Sequence, residues 1–441
     1  MLLLPPIGHK FTWKHGRLYE RLDWCIVNSY WKDLFPMCKD EIYWKQRYRV
    51  AWLKSGDKNT KYFHHKATTR NRNNLTRSIT LEDGSVVNRL VDIEAQFVSF
   101  YSSLFTSQGR DNDAINIVLS GIYNTLAPDQ VLLLDKPYSE DEIKNALFSI
   151  LGEKAPGSDG FNAFFYQKNW STLRTEFTSA ILAILNHDSN ISLIIDSVIV
   201  LIPKKKNACK VRDFRPISLC TTMYKVVAKV LANRIKPVLD SLISKNQSAL
   251  LSDCLIFDNI FLDNEVVNAI TNRKRGRIGW ATLKLDMEKA FDRVEWSFVD
   301  AILKCVGFPN CFVNLILRCI SSVTFRLLIN GKLSESFPFF RGIRKGDPLS
   351  PYLFLMIAER LSAAIRVYEE QRTFTGFAIC RNAPIVSNLL FADDSLLFTT
   401  VNDTSCRAIQ DILSIHNHAT GQILYPFLTQ YQPYGKNKVL Q

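Results

Sequence analysis

The chain has 441 residues, room for roughly two to four domains, with 47% hydrophobic and 22% charged residues and 28 Phe, 15 Tyr and 8 Trp to build a core. This balance excludes a disordered chain, a collagen and a small disulfide scaffold. The 55 Lys+Arg against 42 Asp+Glu give a net charge of +13, which points to a polyanionic partner, nucleic acid or an anionic membrane surface.

The longest apolar run, residues 191–203, is interrupted by Asp196 and is too short for the ~20 residues of a membrane span. The opening MLLLPPIGHK lacks the basic region and apolar length of a signal peptide. The reading is therefore an intracellular protein, nuclear or cytoplasmic rather than secreted, without a membrane partner. The ten cysteines form no CxxC pair and no zinc-spaced cluster with His, as expected of reduced cysteines packed as small hydrophobes.

Residues 42–80 hold ten Lys/Arg and one acid, Asp57, interleaved with Tyr43, Trp44, Tyr48, Trp52, Tyr62 and Phe63. Basic groups there, among them Arg47, Arg49, Lys58 and Lys61, can meet phosphates while the aromatics stack on bases. An amphipathic helix with a solvated basic face is the plainer alternative. Residues 139–151 predict a helix, with Ser139 and Glu142 at capping-box spacing and Ile143, Ala146, Leu147 and Ile150 on one stripe. The turn-rich KAPGSDGF (154–161) follows, a plain loop or a glycine loop able to approach a phosphate.

Ser197–Pro203 reads as a buried strand running into Lys204, Lys205 and Lys206. A helix over Thr222–Leu242 is expected to show Lys225, Lys229 and Arg234 on its exposed face. Residues 280–286 alternate, with Ala281, Leu283 and Leu285 on one side and Asp286 ending the strand. A helix bearing Val294, Phe298, Ile302 and Val306 ends at Gly307 and Pro309. An Asn330-Gly331 hairpin follows it. Residues 388–398 (NLLFADDSLLF) predict a tight hairpin with Asp393 and Asp394 at its turn. Paired beside the Asp286 strand, it would gather three carboxylates, a hard-oxygen set suited to Mg²⁺. An Asp-Asp turn of purely structural meaning is the alternative.

The stretches KAPGSDGF (154–161), LIPKKKNACKVRDFRPISL (201–219), LKLDMEKAFDRVEW (283–296), GIRKGDPLSP (342–351) and FADD (391–394) resemble, in order and spacing, the reverse transcriptase of LINE-type non-long-terminal-repeat retrotransposons, plant members most closely. KQRYRVAWLKSGDKNTKYFHHKATTRNR (45–72) is similar to the family's segment upstream of the polymerase. The resemblance implies an α/β right-hand polymerase with palm and fingers behind a basic, mainly helical N-terminal extension. Asp286, Asp393 and Asp394 would be catalytic and bind two Mg²⁺. Lys204, Arg215, Met287, Phe291, Lys345 and Gly346 would contact the incoming nucleotide, Phe291 closing the sugar pocket. RNA template, DNA primer and deoxynucleoside triphosphates are the implied partners.

The chain departs from the family in three ways. Lys345 stands where Gln is more usual. ATGQ (419–422) begins a family motif that 423–441 does not continue, so the lysine of that motif and the thumb are missing. Residues 11–36 resemble only the tail of the family's endonuclease. The expected organisation is therefore a nuclease remnant (1–38), a basic nucleic-acid-binding region (39–135), a helical lead into the fingers (136–197), fingers and palm (198–421) and a non-matching tail (422–441). The expected function is RNA-directed DNA synthesis. The rivals are a catalytically inactive retroelement remnant that at most binds nucleic acid, and a two-metal nuclease.

Overall fold

The computed structural model describes residues 74–249, 256–272, 279–380 and 382–432, single residues 69 and 72, and four short strands near the start. These strands are β1 (Leu2–Leu3), β2 (Trp13–His15), β3 (Leu18–Glu20) and β4 (Ile26–Val27), paired β1 with β4 and β2 with β3. Arg47, Arg49, Lys58 and Lys61 lie outside the described residues.

A small hairpin, β5 (Ile79–Thr80) with β6 (Val86–Val87), leads into α1 (Leu90–Leu104). Ile93, Phe97, Tyr101 and Leu104 recur every three or four residues and are all buried, so α1 packs by one stripe. Next come α2 (Asn112–Ser120), α3 (Pro128–Asp135), α4 (Glu140–Ser149), α5 (Ala163–Lys168) and α6 (Trp170–Asn186). The predicted capping box closes α4. Ser139 N–H donates to Glu142 Oε2 at 2.9 Å, and Glu142 N–H donates back to Ser139 Oγ at 3.4 Å.

A first sheet holds β7 (Ser197–Pro203) antiparallel to β8 (Phe214–Cys220), followed in sequence by α7 (Thr222–Leu242). One expectation for α7 fails. Lys225 and Lys229 are half-buried, and Arg234 is 6% exposed rather than solvated. Its guanidinium donates to Glu142 Oε1 and Oε2 (2.8 and 3.0 Å) and to the carbonyls of Leu134, Lys136 and Pro137. It also lies 3.7 Å from the Tyr138 ring centroid. Only the planar fork of Arg can satisfy so many acceptors at once, which is why this cation is buried.

After α8 (Ile256–Asn272) the chain enters β9 (Gly279–Glu288), then α9 (Trp296–Cys305) and α10 (Asn310–Ser321). β10 (Thr324–Ile329) runs parallel to β7 on the first sheet. It turns through Asn330 and Gly331 (φ +50° and +87°) into β11 (Lys332–Leu333), and β12 (Phe337–Pro338) pairs β10 further on. α11 (Ser350–Glu370) is buried on nearly every side, the mark of a central core helix.

After the short pair β13 (Phe377–Ala378) and β14 (Ile385–Val386), the second sheet is completed by β15 (Asn388–Phe391), β16 (Asp394–Val401), α12 (Asp403–Thr420) and β17 (Ile423–Gln432). Its order is β15-β16-β9-β17, a split βαββαβ arrangement with palm-like topology. Residues 423–432 fall in the tail expected not to match, yet they form the fourth strand, antiparallel to β9 from Glu288 to Trp280. Family-specific motif matching is blind to this strand because an edge strand needs only extended backbone and one apolar face.

Candidate active site

In β9, Ala281 and Leu285 are buried while Lys284 and Asp286 are exposed, as the alternation predicts, but Leu283 is only half-buried, Thr282 on the Asp286 side is buried, and the strand runs two residues past Asp286 to Glu288. β16 pairs β9 with Ser395 opposite Leu285 and Leu396 opposite Lys284. The same register places Asp394 beside Asp286 on the open face. β17 puts Tyr425 opposite Asp286 on the other flank. The hairpin itself differs by one residue from expectation. Asp394 opens β16, paired to Phe391, and the two turn residues are Ala392 and Asp393. Ala392 carries φ +53°, a left-handed backbone unfavourable for a residue with a Cβ.

The turn is held from behind by Gln247, a fully buried residue that sequence reasoning missed. Its Oε1 accepts the Ala392 N–H at 3.1 Å and the Ala249 N–H at 3.0 Å. The Leu390 N–H donates to the Asn246 carbonyl at 2.8 Å, so the 246–249 stretch braces the acidic hairpin along its outer strand. A polar Gln in NQSA looks like an ordinary loop residue. No local pattern marks it as a brace for a turn 145 positions away.

The donor set offered to a metal is all carboxylate oxygen, the chemistry Mg²⁺ prefers, and Asp286 and Asp394 stand together on the solvent-facing side of the sheet. That pairing fits a divalent cation. Asp394 Oδ1 already lies 3.1 Å from Lys284 Nζ. Asp393 sits in the turn, and among the described residues no three His, Cys, Asp or Glu side chains close around a common point.

The β9 strand runs into a tight turn at residues 289–293, where Phe291 meets the segment carrying Lys345 and Gly346. The Lys289 carbonyl accepts the amides of Asp292 (2.8 Å) and Arg293 (3.2 Å), and Lys289 itself has φ +52°. Phe291 stacks on Phe354 of α11, ring centroids 4.6 Å apart. The GIRKGDP segment lies across this turn. Gly342 N–H donates to Val294 O (2.6 Å) and Ile343 N–H to Phe291 O (2.9 Å). The Lys345 carbonyl accepts Ser218 N–H of β8 at 2.8 Å, tying the segment to the first sheet. Gly346 is required at that crossing. It has φ +113°, and a Cβ would stand 2.8 Å from the Ser218 carbonyl oxygen.

Lys345 Nζ lies 3.3 Å from Oδ2 of Asp292, a fully interior carboxylate. Burial raises the Asp292 carboxyl above its usual range, with Lys345 and Lys289 pulling the other way. Burial likewise pushes the Lys289 ammonium down to about 8, opposed by Asp292. Lys204 and Arg215 are both exposed at the open end of the β7–β8 pair, where Ile202 faces Arg215 and Lys204 N–H donates to Asp213 O at 2.8 Å. Of the three consecutive lysines, Lys205 is the one tied down, 2.9 Å from Asp213 Oδ1. The structure thus brings Lys345 to 3.3 Å from Asp292 and 6.0 Å from the Phe291 ring centroid, with Lys204 near enough to Lys289 to repel it.

The KAPGSDGF loop packs against the start of α7. A Cβ on Gly157 would stand 2.5 Å from the Thr221 amide nitrogen, so this glycine lets the loop press on the start of α7. Thr222 Oγ1 donates to Phe161 O at 2.7 Å and Lys225 Nζ to Ala155 O at 2.9 Å.

Comparison with known proteins agrees with this geometry. Residues 202–422, half of the chain, match the family model described as reverse transcriptase (RNA-dependent DNA polymerase). The chain is 28% identical over 351 residues to a Transposon TX1 uncharacterized 149 kDa protein of Xenopus laevis, covering 80% of this chain and 26% of that protein. It is 28% identical over 269 residues to a retrovirus-related Pol polyprotein from a type-1 retrotransposable element R2 of Nasonia vitripennis, covering 61% and 24%. A 68-residue stretch is 44% identical to an uncharacterized mitochondrial protein of Arabidopsis thaliana, covering 15% and 56%. The chain thus spans about a quarter of the length of its transposon relatives. With the matched segment running from the Lys204 strand through the acidic hairpin to the end of α12, the chain belongs to the reverse transcriptase family, in the form carried by non-long-terminal-repeat retrotransposons.

Proposed function

We propose that this chain is the polymerase module of a LINE-type retroelement, adding deoxynucleotides to a DNA primer 3′-hydroxyl on an RNA template. The observation that carries this reading is the side-by-side placement of Asp286 and Asp394 on the open face of the sheet, followed along the chain by a turn that brings lysines close. The first sheet, with Lys204 and Arg215 at its open end, takes the part of the fingers, and the second sheet is the palm.

The reaction joins the primer O3′ to the α-phosphorus of the incoming nucleotide and breaks that phosphorus–oxygen bond to the β-phosphate. Pyrophosphate leaves, and the 3′-hydroxyl proton passes to solvent or a base. Asp286 and Asp394, with Asp393 from the adjacent turn, would hold two Mg²⁺, which neutralise charge on the attacking and leaving oxygens. The protein's own task is positioning. Lys204 and Arg215 bind the triphosphate from the opposite side, and Lys345 and Gly346 lie against template and nucleotide. The Met287 backbone borders the nucleotide, and Phe291 limits the space beside the sugar. The basic stretch containing Arg47, Arg49, Lys58 and Lys61 adds salt-dependent affinity for RNA.

The test is single-nucleotide addition to a DNA primer annealed to RNA, with purified protein, Mg²⁺ and the complementary deoxynucleotide. Extension by the parent chain and its loss in Asp394→Asn support the reading. Nucleic-acid binding without extension favours the inactive remnant.

A further inference from the structure

Lys284 stands on the open face of the palm-like sheet, two residues before Asp286 on β9. Its direct cross-strand neighbours carry no charge: Leu396 of β16 on one side and Phe427 of β17 on the other. The ammonium instead reaches diagonally across the sheet to Asp394, with Nζ 3.1 Å from Oδ1. Diagonal positions on one face of adjacent strands are within reach of a long side chain, so the register itself allows this contact. The side chains are 48% and 64% exposed, so a small solute can reach both partners.

The contact places a unit positive charge on one of the two carboxylates that the open face offers to a divalent cation. Asp286, Asp393 and Asp394 are concentrated at one end of the sheet, and carboxylates that close together repel one another. A tethered ammonium offsets part of that repulsion. Thr282, the preceding residue on this face of β9, is buried and neutral, so the strand carries its cation at the position beside the acids. The same contact works against a metal. An ion approaching Asp394 meets a cation already at Oδ1, and must displace it or bind in its repulsive field.

Resting on the polymerase reading above, we infer that Lys284 is a built-in counter-ion of the metal site, holding Asp394 until a divalent cation binds and giving way when it does. Metal loading is then an exchange at Asp394, one ammonium out and one divalent ion in. The site fills at a higher ion concentration than the carboxylates alone would need. An exposed ion pair is a weak competitor, so the exchange tunes affinity and does not block binding.

The test is Mn²⁺ binding to the full chain, with free Mn²⁺ read by electron paramagnetic resonance. Mn²⁺ shares the preference of Mg²⁺ for oxygen ligands. The parent is compared with Lys284→Met, which keeps the apolar stem, and Lys284→Arg, which keeps the charge. The expected result is about two- to fivefold tighter binding in the Met variant and near-parental binding in the Arg variant. Equal or weaker binding in Lys284→Met overturns the inference and leaves the metal centre intact. A parent that binds no more Mn²⁺ than the Asp286→Asn, Asp394→Asn double variant sinks the metal centre, and this inference with it. Carbodiimide coupling on the unmutated chain decides the matter should Lys284→Met not fold. The reagent joins an amine to a carboxylate in contact with it, so a Lys284–Asp394 cross-link should form and saturating Mg²⁺ should suppress it. Absence of that cross-link, or an equal yield with Mg²⁺ present, overturns the proposal.

Discussion

Phe291 illustrates how much a single side chain can decide. Its ring is half-buried, stacked on Phe354 at 4.6 Å with the planes 15° apart, and the Lys345 ammonium lies 6.0 Å from its centroid. Such a ring is fixed in place rather than free to swing aside, so under the proposed function a sugar carrying an extra hydroxyl would meet a rigid wall. Phe291→Val should leave Phe354 in place and open space beside the sugar. The expected outcome is a rise of about tenfold or more in ribonucleotide over deoxynucleotide incorporation, read from competing kcat/KM values in primer extension. An unchanged ratio in an active variant would remove Phe291 from the pocket. Asp286 and the alternation around it were readable from the sequence because strand periodicity is a local property. Gln247 was not, because its meaning comes from a neighbour far along the chain, Ala392.

The GIRKGDP segment joins the two sheets. It is bonded to the 291–294 turn at one end and to β8 through Ser218 at the other. Gly346 makes the second contact possible. Gly346→Ala would combine a strained positive φ, about 1–2 kcal/mol, with a Cβ 2.8 Å from a backbone oxygen that cannot swing away. The predicted outcome is a fold that survives, a displaced Lys345 and a deoxynucleotide KM raised by an order of magnitude. Steady-state kinetics and a melting curve on the same variant check this, and a parental KM would contradict it. Other elements divide along the same line. The α4 capping box and the Asn330-Gly331 hairpin carry short-range chemistry, and the structure has both where the residues indicate. Arg234 went the other way. Helical periodicity placed it outside, but five acceptors on α4 and the 134–137 segment draw it in. β17 was illegible because its partner, β9, supplies the pattern that an edge strand lacks alone.

On the scale of the whole molecule, the palm-like sheet depends on α12 and on the chain returning from it as β17. His416, fully buried in α12, marks how tightly this closure is packed. Burial pushes its imidazole down to about 4, only partly offset by a hydrogen-bonding contact with Gln422 Oε1 at 3.2 Å. The unfolded chain, with histidine near 6.5, takes up the proton first. This contribution to stability is complete above about pH 6.5 and declines as pH falls toward 4, amounting to roughly 2 kcal/mol by pH 5. Urea unfolding at pH 7 and pH 5 should show that decline, and His416→Asn should shrink it. An equal decline in the variant would place the sensitivity elsewhere. The account as a whole stands on Asp286 and Asp394 acting together as a metal centre, and iron-directed cleavage tests that claim most directly. Fe²⁺ put in place of Mg²⁺, with ascorbate and peroxide, generates radicals that cut the backbone where the ion is bound. The account predicts cuts clustered near residues 286 and 393–394, suppressed by excess Mg²⁺ and lost in the Asp286→Asn, Asp394→Asn double variant. Cuts that fall elsewhere, or that persist unchanged in the double variant, would contradict it.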